Sequence, residues 1–475
     1  MKDIQRFKII ALLLLTLLLL PCLPGLPSQC RASFTIDDEK KLGREFYEKL
    51  EKRGALVENR KVERYLNELG RHLTAQSTPS PFEFTFSVIR DSGINAFATP
   101  GGYVYVYSGL IEIAENESQL AGVLAHEIAH VKARHIAKII EKSQKVNIAT
   151  LAAILAGAFI GGGGEGSAAI AGFSLATAAS LNLKYSREHE EEADYFGMEY
   201  LVDSGYDGRG MLDFLKIMRQ FEYYSNSVPS YFLTHPGTGE RIRYLDALLQ
   251  TRYKKRGATA LLTDFHRVKT LLTLEDDDFD SQKRYFEDRL KARNDDIEGL
   301  YGIAMVEAKQ GKTGEALKHF DSALSLSPND PDILRDLGIT QFNAGSAKAA
   351  LAPLKKAHVI DPDDMETVLF LGRTSYALGD YAAALGFYQS YREKNPASDT
   401  IYYNLAMTCG KLNDQGESHY NFGIFFKKKR KLKSALFHFE AALPHFPPDS
   451  ERASEITKHI EALRHGKGKS QPPES

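Results

Sequence analysis

The 475-residue sequence has little cysteine, no tryptophan and no surplus of either charge. Its 60 basic residues are matched by 62 acidic ones, which argues against a nucleic-acid-binding protein. The missing tryptophan excludes nothing. A hydrophobic content of 43% and a mean hydropathy of −0.31 are typical of a soluble globular protein.

The amino terminus has the pattern of a secretory signal peptide. Lys2, Arg6 and Lys8 precede an apolar run of twelve residues over 9–20, and helix-breaking prolines follow it. The run is shorter than the ~20 apolar residues that a membrane-spanning helix needs. Cleavage after Ala32 would satisfy the small-residue rule, so the sequence predicts an exported protein.

Two of the three cysteines lie in this leader and raise a second interpretation, a lipoprotein. Neither Cys22 nor Cys30 follows the small residue that lipoprotein processing requires, so lipid anchoring is the less favoured alternative. After cleavage only Cys409 remains, which argues against a disulfide framework.

The carboxyl-terminal part of the chain carries a repeat with a period of 34 residues. Three residue types share this period: Gly311, Gly345 and Gly379; Ala316, Ala350 and Ala384; Pro328, Pro362 and Pro396. The period predicts tetratricopeptide repeats, with glycine in the turn between paired helices, alanine at their close contact and proline ending each unit. A fourth, degenerate hairpin is predicted over 414–446. Its basic run at 427–433 is interpreted as a solvated face at a helix start, with an acidic partner or a membrane surface as the alternative.

Ahead of the repeats, helical and strand patterns alternate. A helical pattern runs from Thr35, the predicted N-cap, to about Leu73. Residues 82–90 alternate apolar and polar side chains as a half-buried strand does. Residues 93–111 contain a Pro-Gly-Gly turn between alternating residues, which predicts a hairpin or an edge strand.

A stretch rich in alanine and glycine follows at 146–183, interrupted by four consecutive glycines at 161–164. We interpret it as two buried helices joined by a turn and covering a site. A membrane hairpin is the weaker alternative, because neither half reaches ~18 continuous apolar residues. Another helical pattern at 187–205 ends at Gly205.

The segment His-Glu-Ile-Ala-His at 126–130 is the candidate for chemistry. On a helix, His126 and His130 share one face and could both bind one zinc ion. Glu127 then lies ~100° around the helix, where it could accept a proton from water that zinc has acidified towards a pKa of ~7. His135 would lie too far along the same helix to share the ion. The alternative is a surface helix with solvated histidines, although the apolar residues before His126 favour partial burial.

A third ligand is needed, and 187–197 supplies carboxylates. Glu190 and Asp194 share a helical face, so one could bind the metal while the other orients a histidine. Chemistry alone leaves Glu188, Glu190 and Glu191 open as ligands. A solvated acidic face is the alternative, and it suits Glu191 and Glu192 well.

These motifs, in this order and preceded by the "NAFATPGGYVYVYSGL" segment, resemble a family of zinc metallopeptidases. The family includes the CAAX prenyl proteases, HtpX and the BepA-type periplasmic proteases, and the leader and repeats narrow the resemblance to the BepA type. The resemblance implies that His126 and His130 are ligands and that Glu127 is catalytic. It further implies Glu190 as the third ligand, with Asp194 beside it in a supporting catalytic role.

The same resemblance implies further site residues. His235, in the "LTHPGTGER" segment, would approach the metal as a fourth ligand or a regulatory residue, with an ordinary loop histidine as the alternative. An extended substrate would pair with the edge strand, so Asn95, Ala96, Phe97 and Ala98 are substrate-binding candidates. Arg241, from the same segment as His235, would contact the site or the substrate backbone and is the remaining candidate. The four glycines at 161–164 depart from the family and put its gating in doubt.

The expected fold is mainly α with a small β-sheet: a gluzincin-type metalloprotease domain followed by an α-helical tetratricopeptide solenoid. The predicted boundaries are a signal peptide over 1–32, the protease domain over 33–255, a helical linker over 256–295, about four repeats over 296–446, and a helix end with a disordered tail over 447–475.

The expected function is that of a zinc endopeptidase of the periplasm with one Zn²⁺ per chain. Its expected partners are unfolded or misassembled outer-membrane proteins and their assembly machinery, bound through the repeats, without nucleic acid and with room for peripheral membrane contact. The alternative is chiefly a chaperone or assembly scaffold for outer-membrane proteins, with a latent protease site.

Overall fold

The computed structural model describes residues 34–142, 147–159, 185–224, 230–275 and 277–466. Three predictions therefore lie wholly or partly outside the described residues: the signal peptide, the glycine-rich stretch and the carboxyl-terminal tail. The chain divides into two compact units, which meet in sequence between Phe265 and His266.

The first unit consists of helices around one small sheet. Its elements are α1 Ile36–Lys52, α2 Arg60–Ala75, β1 Thr85–Ile89, β2 Ala96–Thr99, β3 Tyr103–Tyr107, α3 Ser108–Ile113, α4 Glu117–Lys132, α5 His135–Lys142, α6 Ile148–Phe159, α7 Arg187–Asp203, α8 Arg209–Tyr224, α9 Ser230–Thr234 and α10 Thr238–Thr251. The predicted class, mainly α with a small sheet, is confirmed.

The helical pattern from Thr35 to about Leu73 corresponds to two helices, α1 and α2. Thr35 caps α1 as expected, because its hydroxyl accepts a hydrogen bond from the Asp38 amide in a capping box. The helix then stops at Lys52, and Gly54 adopts a positive φ of 63° that suits glycine. The two helices cover the predicted helical stretch apart from residues 53–59.

The three strands lie in the order β1–β3–β2. The Pro-Gly-Gly turn joins β2 and β3 into the predicted antiparallel hairpin, which pairs Ala96 with Val106 and Thr99 with Tyr103. β1 pairs with β3 in parallel. β2 thus occupies one edge of this sheet, as the edge-strand prediction required.

The prediction that β1 is half-buried is wrong. Its alternating pattern placed Ser87 on a solvent face, yet every residue from Phe86 to Ile89 is buried. α2 packs against β1, and Gly70 allows that close approach, since an added Cβ would lie 2.1 Å from the Phe86 ring. From Phe86 to Ile89 the strand has no solvent face.

α4 is buried on all sides, and this burial fixes the position of the site. Asn116 caps it by accepting a hydrogen bond from the Gln119 amide, and α7 and α8 pack along it. Its first residue, Glu117, accepts hydrogen bonds from the hydroxyls of Tyr65 and Tyr206. The alternative of a surface helix with solvated histidines is wrong.

The second unit is a series of helix pairs. Its helices after α11, Phe265–Thr273, are α12 Phe279–Ala292, α13 Ile297–Lys309, α14 Thr313–Leu326, α15 Pro331–Asn343, α16 Ala347–Ile360, α17 Met365–Ala377, α18 Tyr381–Lys394, α19 Thr400–Lys411, α20 Gln415–Lys428, α21 Leu432–Ala442 and α22 Glu451–Gly466. Gly311, Gly345 and Gly379 lie in the turns with positive φ of 75°, 80° and 83°. The residues of the 34-residue period thus have the positions that a tetratricopeptide repeat requires.

After the third repeat, the structure contains the predicted fourth hairpin and a further helix before it. α20 and α21 form the hairpin expected over 414–446, but α19 precedes it and also packs on α20. The basic run at 427–433 spans the end of α20, a turn at Arg430 and the start of α21, rather than a helix start alone. Within the described ranges, no helix is both long and apolar enough to cross a membrane.

Candidate metal centre and active site

Four buried side chains of the first unit point donor atoms at one another. His126 and His130 come from α4, Glu190 from α7, and His235 from the residue after α9. One ligand atom from each lies within 4.8 Å of all the others. Helical spacing explains the histidine pair, since residues four apart lie on one face.

The distances within this group are those of converging donors. His126 Nε2 lies 2.9 Å from His130 Nε2 and 3.4 Å from His235 Nδ1. Glu190 Oε1 lies 3.0 Å from His235 Nδ1 and 3.4 Å from His130 Nε2. Nitrogen and carboxylate donors in a compact group of four match the coordination that zinc prefers.

Glu127 lies beside this group with an unusual carboxylate. Both of its oxygens are buried and neither has a hydrogen-bond partner, although Oε1 is 3.5 Å from His235 Nε2. Burial raises the pKa of this carboxyl above its ordinary value. An unpaired buried carboxylate is costly, so this one fits a site that takes up a water, a metal or a substrate.

Asp194 and Arg241 form a second layer behind the donors. Asp194 Oδ1 lies 2.9 Å from His126 Nδ1, the ring nitrogen opposite the donor group. Arg241 binds both oxygens of Asp194, at 2.8 and 2.7 Å, and its Nη1 lies 2.7 Å from Glu190 Oε2. Burial would raise the pKa of Asp194, but Arg241 and His126 outweigh burial and hold it below its ordinary value. The predicted substrate contact, Arg241, thus has its guanidinium engaged by two carboxylates.

Comparison with known proteins agrees with this geometry. Residues 57–249 match the family model Peptidase family M48, and residues 307–357 match a tetratricopeptide repeat model. The chain contains a peptidase family M48 domain. Both matches lie inside the segments that the sequence assigned to a metalloprotease and to repeats.

Curated relatives share this domain. The chain is 32% identical to the beta-barrel assembly-enhancing protease of Escherichia coli strain K12 over 216 residues, 45% of this chain and 44% of the relative. The beta-barrel assembly-enhancing protease of Yersinia pestis is 32% identical over 245 residues, 51% of this chain and 50% of the relative. The mitochondrial metalloendopeptidase OMA1 of Schizosaccharomyces pombe is 32% identical over 192 residues, 40% and 54% of the two chains. The chain therefore spans about half the length of the relatives it matches.

The acidic residues at the start of α7 differ in burial. Glu190 and Asp194 are buried at the donor group, whereas Glu188, Glu191 and Glu192 are exposed. Burial thus favours Glu190 over Glu188 and Glu191 as the candidate third ligand, because one face of α7 packs on α4.

The predicted substrate strand borders the donor group. The side chains of Asn95, Ala96, Phe97 and Ala98 are all buried. Ala98 and Thr99 of β2 line a small cavity together with His130 of α4. β2 thus lies beside α4, the helix that carries two of the four donors.

Several aromatic and polar neighbours of the donors were not predicted from the sequence. Tyr185 stacks on His130 with ring centroids 3.9 Å apart, and Tyr231 stacks on His235 at 4.3 Å. His135 lies with its Nδ1 2.8 Å from His130 Nδ1. The two tyrosines carry no motif, since their positions follow from packing between distant segments.

Proposed function

We propose that the chain is a zinc-dependent endopeptidase of the bacterial periplasm that degrades unfolded or misassembled outer-membrane proteins. The observation that carries the enzymatic part is the convergence of His126, His130, Glu190 and His235 beside the unpaired carboxylate of Glu127. The match to a peptidase family over 57–249 supports the same activity.

His126, His130 and Glu190 would hold the metal in this proposal. Two imidazoles and one carboxylate leave one position of a tetrahedral zinc site for water or substrate, as catalytic zinc sites require. When bound, the ion would supply Lewis acidity, which makes water easier to deprotonate and a peptide carbonyl easier to attack. One ion per chain follows from one donor group within the described residues.

Glu127 would act as the general base and then the general acid. It would accept a proton from the attacking water and deliver that proton to the leaving amine. Its lack of hydrogen-bond partners supports this role, because neither oxygen is already occupied by a donated hydrogen bond.

Asp194 and Arg241 would keep the ligands in position. A carboxylate that accepts a hydrogen bond from the second nitrogen of a ligand imidazole fixes its tautomer and its orientation. Arg241 would balance the charge of Asp194 and Glu190, which lie together at a buried site.

The substrate class and the location are inferred from the relatives and the repeats. Two relatives are named for enhancing beta-barrel assembly, which suggests that unfolded outer-membrane β-barrel proteins are the clients here. Stacked helical repeats commonly bind protein segments, so the second unit would hold the client or its assembly machinery. The apolar leader at 9–20 supports export to the periplasm.

One observation favours the second candidate, an assembly scaffold with a latent protease. His235 supplies a fourth donor to the group, and four protein ligands would leave no position for water. In this arrangement the site would act only after His235 moves away. A protease and a scaffold could therefore be two states of one protein.

The test uses the chain from residue 33 onward in four forms: wild type, Glu127→Gln, His235→Ala and the surface control Glu191→Gln. Bound zinc is measured by elemental analysis. Cleavage is measured on an unfolded outer-membrane β-barrel protein and on an unfolded soluble protein of similar size.

We expect about one zinc per chain in the wild type, and cleavage that Glu127→Gln abolishes and Glu191→Gln leaves unchanged. Faster cleavage by His235→Ala would support latency. Client binding and zinc binding without cleavage, even in His235→Ala, would refute the protease and support the scaffold. Equal cleavage of both unfolded proteins would refute the proposed substrate class.

A further inference from the structure

The chain reverses direction immediately after the catalytic helix. α4 ends at Lys132, Arg134 has a positive φ of 55°, and α5 begins with His135. A non-glycine residue in this left-handed region costs roughly 1–2 kcal/mol, so the surroundings must hold it there. The side chain of Arg134 donates to Glu39 Oε1 at 2.6 Å, and Glu39 is buried.

This reversal folds His135 back against a metal-ligand candidate. His130 Nε2 belongs to the donor group, and its other nitrogen, Nδ1, lies 2.8 Å from His135 Nδ1. The His135 side chain has no exposed surface. Two ring nitrogens at this distance form a hydrogen bond only if one carries the proton and the other accepts it.

The contact on the opposite side of the His135 ring determines which of its two nitrogens carries the proton. Its Nε2 lies 3.1 Å from Glu192 Oε2. An ionised carboxylate only accepts, so His135 carries its proton on Nε2 and accepts at Nδ1. His130 must then donate from Nδ1, which leaves the Nε2 lone pair free towards the donor group.

We propose that His135 and Glu192 are positioning residues that hold His130 in the metal-binding tautomer and so set the affinity of the centre for its ion. The inference rests on the proposed function, in which His130 is a metal ligand. It assigns a role to a histidine that cannot reach the ion, and to a glutamate that is 42% exposed.

The two ligand histidines of α4 are then supported in parallel ways. His126 meets the carboxylate of Asp194 directly at 2.9 Å. His130 meets the carboxylate of Glu192 through His135. Groups that orient ligand imidazoles in this way typically change metal affinity 10- to 100-fold when removed.

The test replaces each member of this relay and compares each variant with a matched one. Glu192→Ala is paired with Glu191→Ala, since both glutamates are exposed neighbours on α7. His135→Asn places an amide oxygen where Nδ1 was, so it still accepts from His130. His135→Gln places its amide where Nε2 was and leaves the His130 proton without an acceptor. Zinc affinity is measured by competition with a coloured chelator, and folding by circular dichroism.

We expect zinc affinity to fall at least 10-fold in His135→Gln and severalfold in Glu192→Ala. His135→Asn should retain more affinity than His135→Gln, and Glu191→Ala should match the wild type. A purely structural role would instead weaken the two His135 variants equally, together with their folding.

Three outcomes would overturn the inference. If folded Glu192→Ala binds zinc as tightly as Glu191→Ala, the carboxylate does not support the ligand. If His135→Asn and His135→Gln bind zinc equally, the tautomer argument fails while the metal centre stands. If the wild type binds no metal, the proposed function fails and the inference fails with it.

Discussion

Gly197 lies where α7 packs closely against α4, the two helices that carry His126, His130 and Glu190. It belongs to α7, which carries Glu190 and Asp194, and it faces the backbone of His126 on α4. A Cβ added at Gly197 would lie 3.0 Å from both Cα and N of His126, and 3.1 Å from Met211 Cε. The substitution Gly197→Ala therefore tests how tightly the centre is packed.

Two opposing effects determine how Gly197→Ala changes the free energy of unfolding. Carbon atoms pack best at ~3.5–4.0 Å, so the helices would have to separate by several tenths of an ångström. Overpacking of this kind costs about 1–3 kcal/mol. Replacing glycine by alanine inside a helix returns about 1 kcal/mol. We expect a net loss of roughly 0–2 kcal/mol of unfolding free energy from these two effects.

Gly386→Ala is the matched control, because it makes the same replacement within a helix. Gly386 lies in α18 and is exposed, and an added Cβ would meet nothing within 4 Å. The control should gain up to ~1 kcal/mol from helix propensity alone. The two variants should therefore differ by about 1–3 kcal/mol, which isolates the cost of overpacking.

The readouts are urea unfolding, followed by far-ultraviolet circular dichroism because the chain has no tryptophan, and zinc affinity. Separating α7 from α4 would move Glu190 away from His126 and His130, so we expect weaker zinc binding in Gly197→Ala and unchanged binding in Gly386→Ala. Equal stability gains in both variants, with unchanged affinity, would refute the packing argument.

Three further outcomes are expected. Removing the metal with a chelator should lower the unfolding temperature of the first unit in calorimetry, because a free ion concentration of 100 times the Kd stabilises the folded state by ~2.7 kcal/mol. An unchanged unfolding temperature would contradict metal binding by the folded centre. Burial opposes ionisation of Asp296, but Arg289 and Arg293 hold its pKa below the ordinary value, so its stabilisation is present above pH ~4 and is lost as the pH falls through the folded pKa. Asp296→Asn should thus cost about 1–2 kcal/mol at pH 7 in urea unfolding, and less once the pH falls below the folded pKa; a cost that does not change with pH would contradict the ion pair. Burial, followed by Asp414, raises the pKa of Cys409 to about 12, so its thiol should react with a disulfide reagent only after unfolding.

Periodic features of the fold were predictable from the sequence. The 34-residue spacing of glycine, alanine and proline reports contacts that every repeat makes with its neighbours, and the helices follow it closely. The Pro-Gly-Gly turn likewise joins β2 and β3, because a tight turn and its flanking strands are local in sequence.

Features that depend on distant segments were not predictable in the same way. The alternating pattern of β1 indicates one polar face, but Ser87 on that face is buried as well. The parallel pairing of β1 with β3 joins segments that no turn connects directly. The helical pattern from Thr35 to Leu73 continues on both sides of Gly54, so periodicity alone does not reveal the break.

The residues of the candidate site also fall into those that local sequence predicts and those that depend on distant segments. His126 and His130 follow from helical spacing, and Glu190 with Asp194 follows from a second helix once burial distinguishes its faces. His235 came from family resemblance, since nothing in its local sequence requires it near a metal. Tyr185 and Tyr231 reach the centre only because separate segments converge there.

His135 shows most clearly why local spacing can mislead. On a continuous helix it would lie nine residues, or about 13 Å, from His126, too far to share the ion, and its spacing gives no sign of a contact with His130. The chain instead leaves the helix at Arg134, a residue type with no preference for the left-handed conformation that it adopts. The contact that holds it there comes from Glu39, 95 residues earlier in the chain. A centre that depends on such a distant carboxylate should lose zinc affinity in Glu39→Gln, although Glu39 touches none of the four donors.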